Sequence, residues 1–364
     1  MTTRQQFLRA AALTAAAPLL ACGSRDTPDA YDQAAAATWR LAEAPVGDAG
    51  AIRRELVRCA TLAPSSHNTQ CWKFRIEERA ITLLPDLARR CPAVDPDDHH
   101  LFVSLGCAAE NLVQAAQAFG LRAEQRSAGR DGVALALDAA PAVATPLYLA
   151  IPQRQCTRGE YDGQPLRNDE LRLLEQAGSG DGVRVILITE RAAMEQVLAL
   201  VAAGNTAQLQ DKAFVEELKA WIRFGRDEAA RAGDGLFTGA SGNPTAPRWL
   251  GSRLFDLFFK AGSENDKYSK QIRSSAGIAV FVSRADDAAH WVEAGRCYER
   301  FALQATALGI RNAMINQPVE VASLRPQLAR QLGITAGRPD LVVRFGRGPR
   351  MPASLRRPVQ AVIV

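Results

Sequence analysis

The sequence predicts an α+β fold, and two observations carry that prediction. Segments with strand and helix periodicity are mixed without strict β–α alternation, and the order of elements in the first half is taken up again in the second. A length of 364 residues leaves room for two domains of ordinary size. With 47% hydrophobic and 23% charged residues the composition is that of a globular chain. A net charge of +5 gives no case for nucleic-acid binding. After the N-terminus, no apolar run is long enough to span a bilayer.

The N-terminus reads as an export signal. Arg4 and Arg9 precede an uncharged stretch, Ala10–Ala21, that closes on Leu19-Leu20-Ala21-Cys22. This ending resembles a bacterial lipobox, which implies a signal peptide over 1–22, lipidation of Cys22, and a lipid-anchored protein of the periplasm or cell envelope. The segment Thr3-Arg4-Gln5-Gln6-Phe7-Leu8 is similar to a twin-arginine signal with Gln5 in place of the second Arg. Residues 23–48 read as an Ala-, Asp-, Gly- and Pro-rich linker. The six remaining cysteines (59, 71, 91, 107, 156 and 297) lack metal-site spacing and sit mostly in apolar segments, so few or no disulfides are expected.

Beyond the linker, Ile52, Leu56, Cys59, Ala60 and Ala63 recur at helical spacing. Trp72–Glu77 and Ile81–Leu84 form a strand pair. A long helix starts at a cap on Asp97 or Asp98 and stops at Gly120. Short strands follow at Arg122–Glu124 and Val133–Leu137, and the first half, 49–152, ends near Pro141–Pro152. In the second half, 153–364, helices are expected at Asn168–Gln176, Ala192–Leu209, Ala213–Phe224 and Ala288–Leu308. Strands are expected at Val183–Thr189, Ile278–Ser283 and Leu341–Phe345. Residues from about 225 to 275, rich in glycine and weak in periodicity, read as a lid inserted in this half. Its apolar residues Trp249, Leu250, Phe255, Leu257, Phe258 and Phe259 are expected to be buried against the body.

Three runs carry the chemistry. In Ala63-Pro64-Ser65-Ser66-His67-Asn68-Thr69-Gln70-Cys71-Trp72, proline ends a helix, and hydroxyl and amide groups then face a polar ligand or merely cap a turn. In Arg154-Gln155-Cys156-Thr157-Arg158, two forked cations suit a phosphate, although paired surface arginines are commoner. The basic tail Arg344-Phe345-Gly346-Arg347-Gly348-Pro349-Arg350, with Arg356-Arg357-Pro358, has by composition alone the make-up of a nucleic-acid patch. Asp95, Asp97, Asp98, His99 and His100 are better explained by a helix N-terminus than by a metal, and no metal is expected. His67 and His290 are possible bases without a visible partner.

The first run resembles the A-P-S-S-x-N-x-Q-P-W signature of FMN-dependent nitroreductases, with Cys71 in the proline position. The second resembles their R-x-S-x-R motif, with Cys156 for Ser. The run Leu308–Pro318 is similar to their flavin-edge loop. The likeness covers nearly the whole chain after residue 48 and is closest to the tandem, Acg-type branch. It implies two nitroreductase-like α+β halves forming an intramolecular pseudo-dimer, monomeric, with one FMN. It further implies phosphate contacts from Arg154, Arg356 and either Arg347 or Arg357, and places Arg158 near the ribityl chain and pyrimidine edge as an electrostatic stabiliser. Pro64, Ser65, Ser66, Asn68 and Gln70 close the site from the first half, with Cys156, Ala313 and Met314 from the second. The implied activity is hydride transfer from NAD(P)H or another donor through flavin N5 to a nitro compound or quinone, without a catalytic side chain. Two alternatives are a non-catalytic FMN-sequestering protein with a closed lid, and a binding protein that has lost the flavin.

Overall fold

A computed structural model describes residues 29–41 and 48–364. The signal peptide, Cys22 and the start of the linker lie outside the described residues. Within the 23–48 segment, which reads as a linker running into a first short helix, α1 (Ala30–Thr38) is a helix capped by the Asp29 carboxylate, which accepts from Asp32 N. Its alanine content favours helix, and Tyr31 is buried with its ring 4.8 Å from that of Phe237.

In α2 (Ala49–Thr61) the Asp48 carboxylate accepts from Gly50 N and Ala51 N, satisfying two donors of the first turn. Strands β1 (Trp72–Ile76) and β2 (Ala80–Pro85) pair antiparallel, Trp72 opposite Pro85. Helix α3 (His99–Ala118) then runs through the centre of the molecule. Neither Asp97 nor Asp98 caps it through its side chain. Asp95 does, accepting from His100 N at 3.0 Å and Leu101 N at 2.9 Å, because Asp98 itself is turned into the left-handed region (φ 61). Strands β3 (Leu121–Gly129) and β4 (Gly132–Ala139) extend past the expected ends and complete a sheet of order β1-β2-β4-β3.

A short helix, α4 (Pro146–Ala150), leads into the second half. There α5 (Asn168–Ala177), β5 (Val183–Ile188), α6 (Arg191–Gln210) and α7 (Lys212–Trp221) follow the expected periodicity. The presumed irregular lid is instead largely helical. After β6 (Ile222–Arg223), which precedes it, the segment holds α8 (Arg226–Ala232), β7 (Leu236–Phe237), α9 (Arg248–Phe258) and α10 (Ala261–Arg273). The chain then forms β8 (Gly277–Ser283), α11 (Ala288–Ala307), β9 (Arg311–Met314), α12 (Gln317–Glu320), α13 (Arg325–Gln331) and β10 (Arg338–Gly346). The second sheet has order β5-β8-β10-β9 and is also antiparallel. All seven residues of β8 are buried, which explains its unbroken apolar run.

The two halves meet where α3 crosses α11. Gly106 and Gly295 are each the eighth residue of a 20-residue helix. A Cβ on Gly106 would stand 1.9 Å from Val292 O, and one on Gly295 would stand 2.0 Å from Val103 O. The contact is reciprocal, as a two-fold seam requires. The C-terminal tail also crosses back to the first half. Val362 O accepts from Phe74 N at 2.7 Å, and Val364 N donates to Phe74 O at 2.9 Å. The six cysteines among the described residues are all free, and five of them are buried.

Candidate functional site

Two adjoining cavities, of about 290 Å³ and 60 Å³, lie between the halves and share Pro64, Ser65, Cys156, Arg158 and Leu236 as walls. The larger one is bordered by the 63–70 turn, α3, the second-half strand β9, and helices α6 and α10. The smaller is a polar recess walled by four arginines, Arg154, Arg158, Arg350 and Arg356, together with Trp39 and Asn68.

The turn after α2 is held in an unusual conformation. His67, Asn68 and Gln70 have φ of 49°, 52° and 55°, a region that costs a non-glycine residue free energy. Side-chain bonds hold it there. Asn68 Nδ2 donates to Gly235 O and Leu355 O, and Asn68 Oδ1 accepts from Arg356 Nη1 at 2.9 Å. Gln70 Nε2 donates to Gly233 O, while Gln70 Oε1 accepts from Arg357 N. Thus Asn68 borders the small cavity with its polar atoms already engaged. Gln70 lines neither cavity and fastens the turn to the lid and the tail. Ser65 Oγ accepts from Gln70 N, and Ser66 lines the larger cavity.

The arginines divide into two kinds. Arg154 is buried, donates to Leu62 O at 2.7 Å, and faces Glu299 at 3.1 Å. Arg356 binds the carbonyls of Thr61, Leu62 and Ala63 and so caps the C-terminus of α2. Both line the recess, but Arg356 spends all three of its nitrogens on protein acceptors, whereas Arg154 gives one hydrogen bond to Leu62 O and is otherwise held as the ion partner of Glu299. Among the described residues, nothing accepts a hydrogen bond from the guanidinium of Arg158 or Arg350. Arg347 lies outside both cavities because Glu170 takes its guanidinium at 2.6 Å. Arg357 also lies outside, donating to Gln70 O. The tail cation that faces the recess is Arg350, a residue of the basic run to which the sequence reading gave no role.

Burial pushes the Glu299 carboxyl up to about 7 against the pull of Arg154. A raised carboxyl contributes stability that is full below its unfolded value near 4.5 and is lost as pH rises through about 7. Removing Arg154 takes away the opposing pull and carries that loss to higher pH. Arg154→Met is therefore expected to be destabilised by about 3–5 kcal/mol once Glu299 ionises unpaired. Its melting-point deficit should be larger at about pH 8 than at about pH 5.5. Equal deficits at both values would show that Glu299 carries no such proton.

The larger cavity is mixed in character. Ala313 and Met314 of β9 form one edge, and Val103, Phe214 and Leu218 supply apolar wall. His67 Nδ1 and Gln317 Oε1 are buried polar atoms of lining side chains with no hydrogen-bond partner. Burial, with Arg158 nearby, pushes the His67 imidazole down to about 4, so it is neutral near pH 7. His100 lies on the opposite wall. Burial works against its charge, but the Asp95 carboxylate 3.5 Å from Nδ1 outweighs it and raises the pKa. From the lid, α10 contributes Glu264, Lys267, Tyr268 and Gln271. Burial raises the Glu264 carboxyl and lowers the Lys267 ammonium. The sequence reading missed these four, although their i, i+3, i+4, i+7 spacing marks one helix face. His290, read as lacking a partner, bonds Asp287 at 2.8 Å, away from both cavities.

No protein-family model matches the chain. A protein of Mycobacterium tuberculosis named as a candidate NAD(P)H nitroreductase is 27% identical over 326 residues, covering 85% of this chain and 90% of its own length. The candidate NAD(P)H nitroreductase acg of the same organism is 24% identical over 339 residues, covering 85% and 95%. Among solved structures, the FMN-dependent nitroreductase NfnB of Mycobacterium smegmatis, in complex with NADPH, aligns at 14% identity with a TM-score of 0.37. That alignment covers 56% of this chain and 87% of the other. A nitroreductase of Desulfitobacterium hafniense with bound FMN aligns at 16% identity and a TM-score of 0.38, covering 61% and 98%.

Proposed function

Since the chain belongs to the nitroreductase superfamily, we propose that it is an FMN-dependent oxidoreductase taking electrons from NAD(P)H for a nitro compound or quinone. One observation carries the reading: a recess walled by four arginines, two of them without protein acceptors, opens into a larger cavity whose lining has buried polar atoms without partners. The donor set fits a phosphate joined to a planar polar ring, since guanidinium forks match phosphate oxygens.

When bound, FMN supplies the acceptance and donation of hydride. Arg158 and Arg350 hold the phosphate end, while Arg154 and Arg356 stand behind as fixed charge and shape the recess. Ser65 and Cys156 border both cavities and Ser66 the larger one, where Ala313 and Met314 would edge the flavin ring. His67, kept neutral, offers a hydrogen bond without charge. Helix α10 covers the larger cavity and excludes water, which strengthens the electrostatics inside. The protein is read as a monomer, exported and lipid-anchored at Cys22 outside the cytoplasm.

Purified full-length protein is expected to carry one FMN per chain and to be reduced by NADPH in stopped-flow absorbance, with reoxidation by a nitroarene or quinone. A ratio near two, or no flavin after incubation with FMN, would overturn the assignment. Retained FMN that NADPH and NADH fail to reduce would mark a sequestering protein instead.

A further inference from the structure

The lid carries an apolar face that the rest of the protein leaves uncovered. The sequence expectation that the lid's apolar residues are buried fails at Trp249, Leu257 and Phe258, which are 66%, 65% and 69% exposed. Helix geometry sorts α9 into stripes. Gly251 and Phe255 point inward, where Gly251 lets the Phe224 ring approach and Phe255 meets that ring at 6.4 Å. Trp249, Arg253 and Leu257 form one outward stripe with Leu254 beside it, while Phe258, seven residues after Gly251, is exposed because it is the last residue of the helix. Charge on this face is one-sided. Asp256 is paired with Lys219 at 2.6 Å, and Arg248 with Glu228 at 2.6 Å. Arg253 and Lys260 have no carboxylate partner among the described residues. A helix with exposed Trp, Leu and Phe and unpaired basic residues has the make-up of one that lies in a membrane interface.

The path of the chain points the same way. Helix α1 packs on the lid: Arg226 of α8 pairs with Asp32 at 2.7 Å and stacks over the Tyr31 ring at 4.4 Å. Glu228, also on α8, holds Arg248 of α9. The chain therefore leaves the described body at Asp29 beside the lid. Only six residues separate Asp29 from Cys22, a span of at most about 25 Å when fully extended. A lipid on Cys22 would hold this side of the molecule close to a bilayer.

We propose that α9 docks on an anionic phospholipid surface, with Trp249, Leu254, Leu257 and Phe258 entering the interface and Arg253 and Lys260 meeting lipid phosphates. The inference draws its direction from the export and anchoring reading and adds to it a second, non-covalent membrane contact. The acyl anchor would keep the helix at high effective concentration beside the bilayer, so that even a weak contact of its own is occupied. Phe259, the next residue, lines the larger cavity, so the docked face adjoins the site wall.

The test uses the full chain carrying Cys22→Ser, so that no acyl anchor contributes. It should sediment with vesicles containing phosphatidylglycerol and much less with pure phosphatidylcholine, and brominated lipid should quench part of its tryptophan emission. Leu257→Glu with Phe258→Glu should abolish sedimentation while leaving flavin content and NADPH reduction unchanged. Arg253→Gln with Lys260→Gln should weaken it about thirtyfold. Absence of vesicle binding, or binding that survives the glutamate pair, overturns docking. So does a dimer in light scattering that the glutamate pair dissociates, since a second copy would then own the face. Because flavin content is read in the same samples, failure of docking is distinguishable from failure of the FMN assignment.

Discussion

Replacing Arg158 and Arg350 together with Ala is expected to lower FMN affinity at least a hundredfold without changing the melting temperature of the apoprotein. Both guanidiniums face the small cavity and neither is committed to a protein acceptor, so their removal leaves no buried group unpaired. Each charge-assisted bond to a phosphate is worth about 1.5–3 kcal/mol, and two exceed the 2.8 kcal/mol or so that a hundredfold represents. Lysine at both positions should recover part of the affinity through charge but not the forked geometry. Arg347→Ala serves as the control, because Glu170 holds that side chain away from the recess. Flavin-fluorescence titration of apoprotein decides. Affinity within threefold of wild type, or an equal loss in the control, would move the phosphate elsewhere.

This division of labour among the arginines was hidden from the sequence for a physical reason. Residue spacing identifies cations that could converge, but not which carbonyls reach them first. Arg356 looks like a phosphate ligand until its contacts with Thr61, Leu62 and Ala63 are seen, and those arise because the C-terminal end of α2 leaves carbonyls unpaired. Arg350 lies in the basic run but directly after the Gly348-Pro349 pair, whose course only the fold fixes. Elements with a full apolar face were legible: α11 and β8 were expected within a residue or so of their ends. The lid was not, since α9 and α10 carry their periodicity on polar or exposed residues. Its glycines, Gly233, Gly235 and Gly242, have positive φ in the turns between helices, and do not mark an irregular segment. The apolar residues of α9 misled because burial was assumed to be the only fate of an aromatic cluster. The Ala63–Gln70 turn was recognised as part of the site, but its amides were assigned to a ligand when two of them chiefly hold strained backbone in place.

Gly106→Ala is expected to destabilise the protein by about 3 kcal/mol, at the upper end of overpacking costs. The added carbon would meet the Val292 carbonyl oxygen at 1.9 Å and its carbon at 2.8 Å, and backbone cannot rotate away as a flexible side chain can. Relief requires α3 and α11 to move apart. Gly295→Ala forces the same separation through Val103 O, so the double variant should lose clearly less than the sum of the singles. The seam also frames the site: His100, Ser104 and Cys107 reach the larger cavity from α3, and Tyr298 reaches it from α11. Spreading the helices therefore widens the cavity between them, and flavin retention should fall in each single variant along with stability. Chemical unfolding at matched flavin content, with affinity measured separately, tests both effects. Additive losses would mean the two glycines sit in independent contacts. Unchanged stability would mean that the close crossing is not what fixes one half against the other.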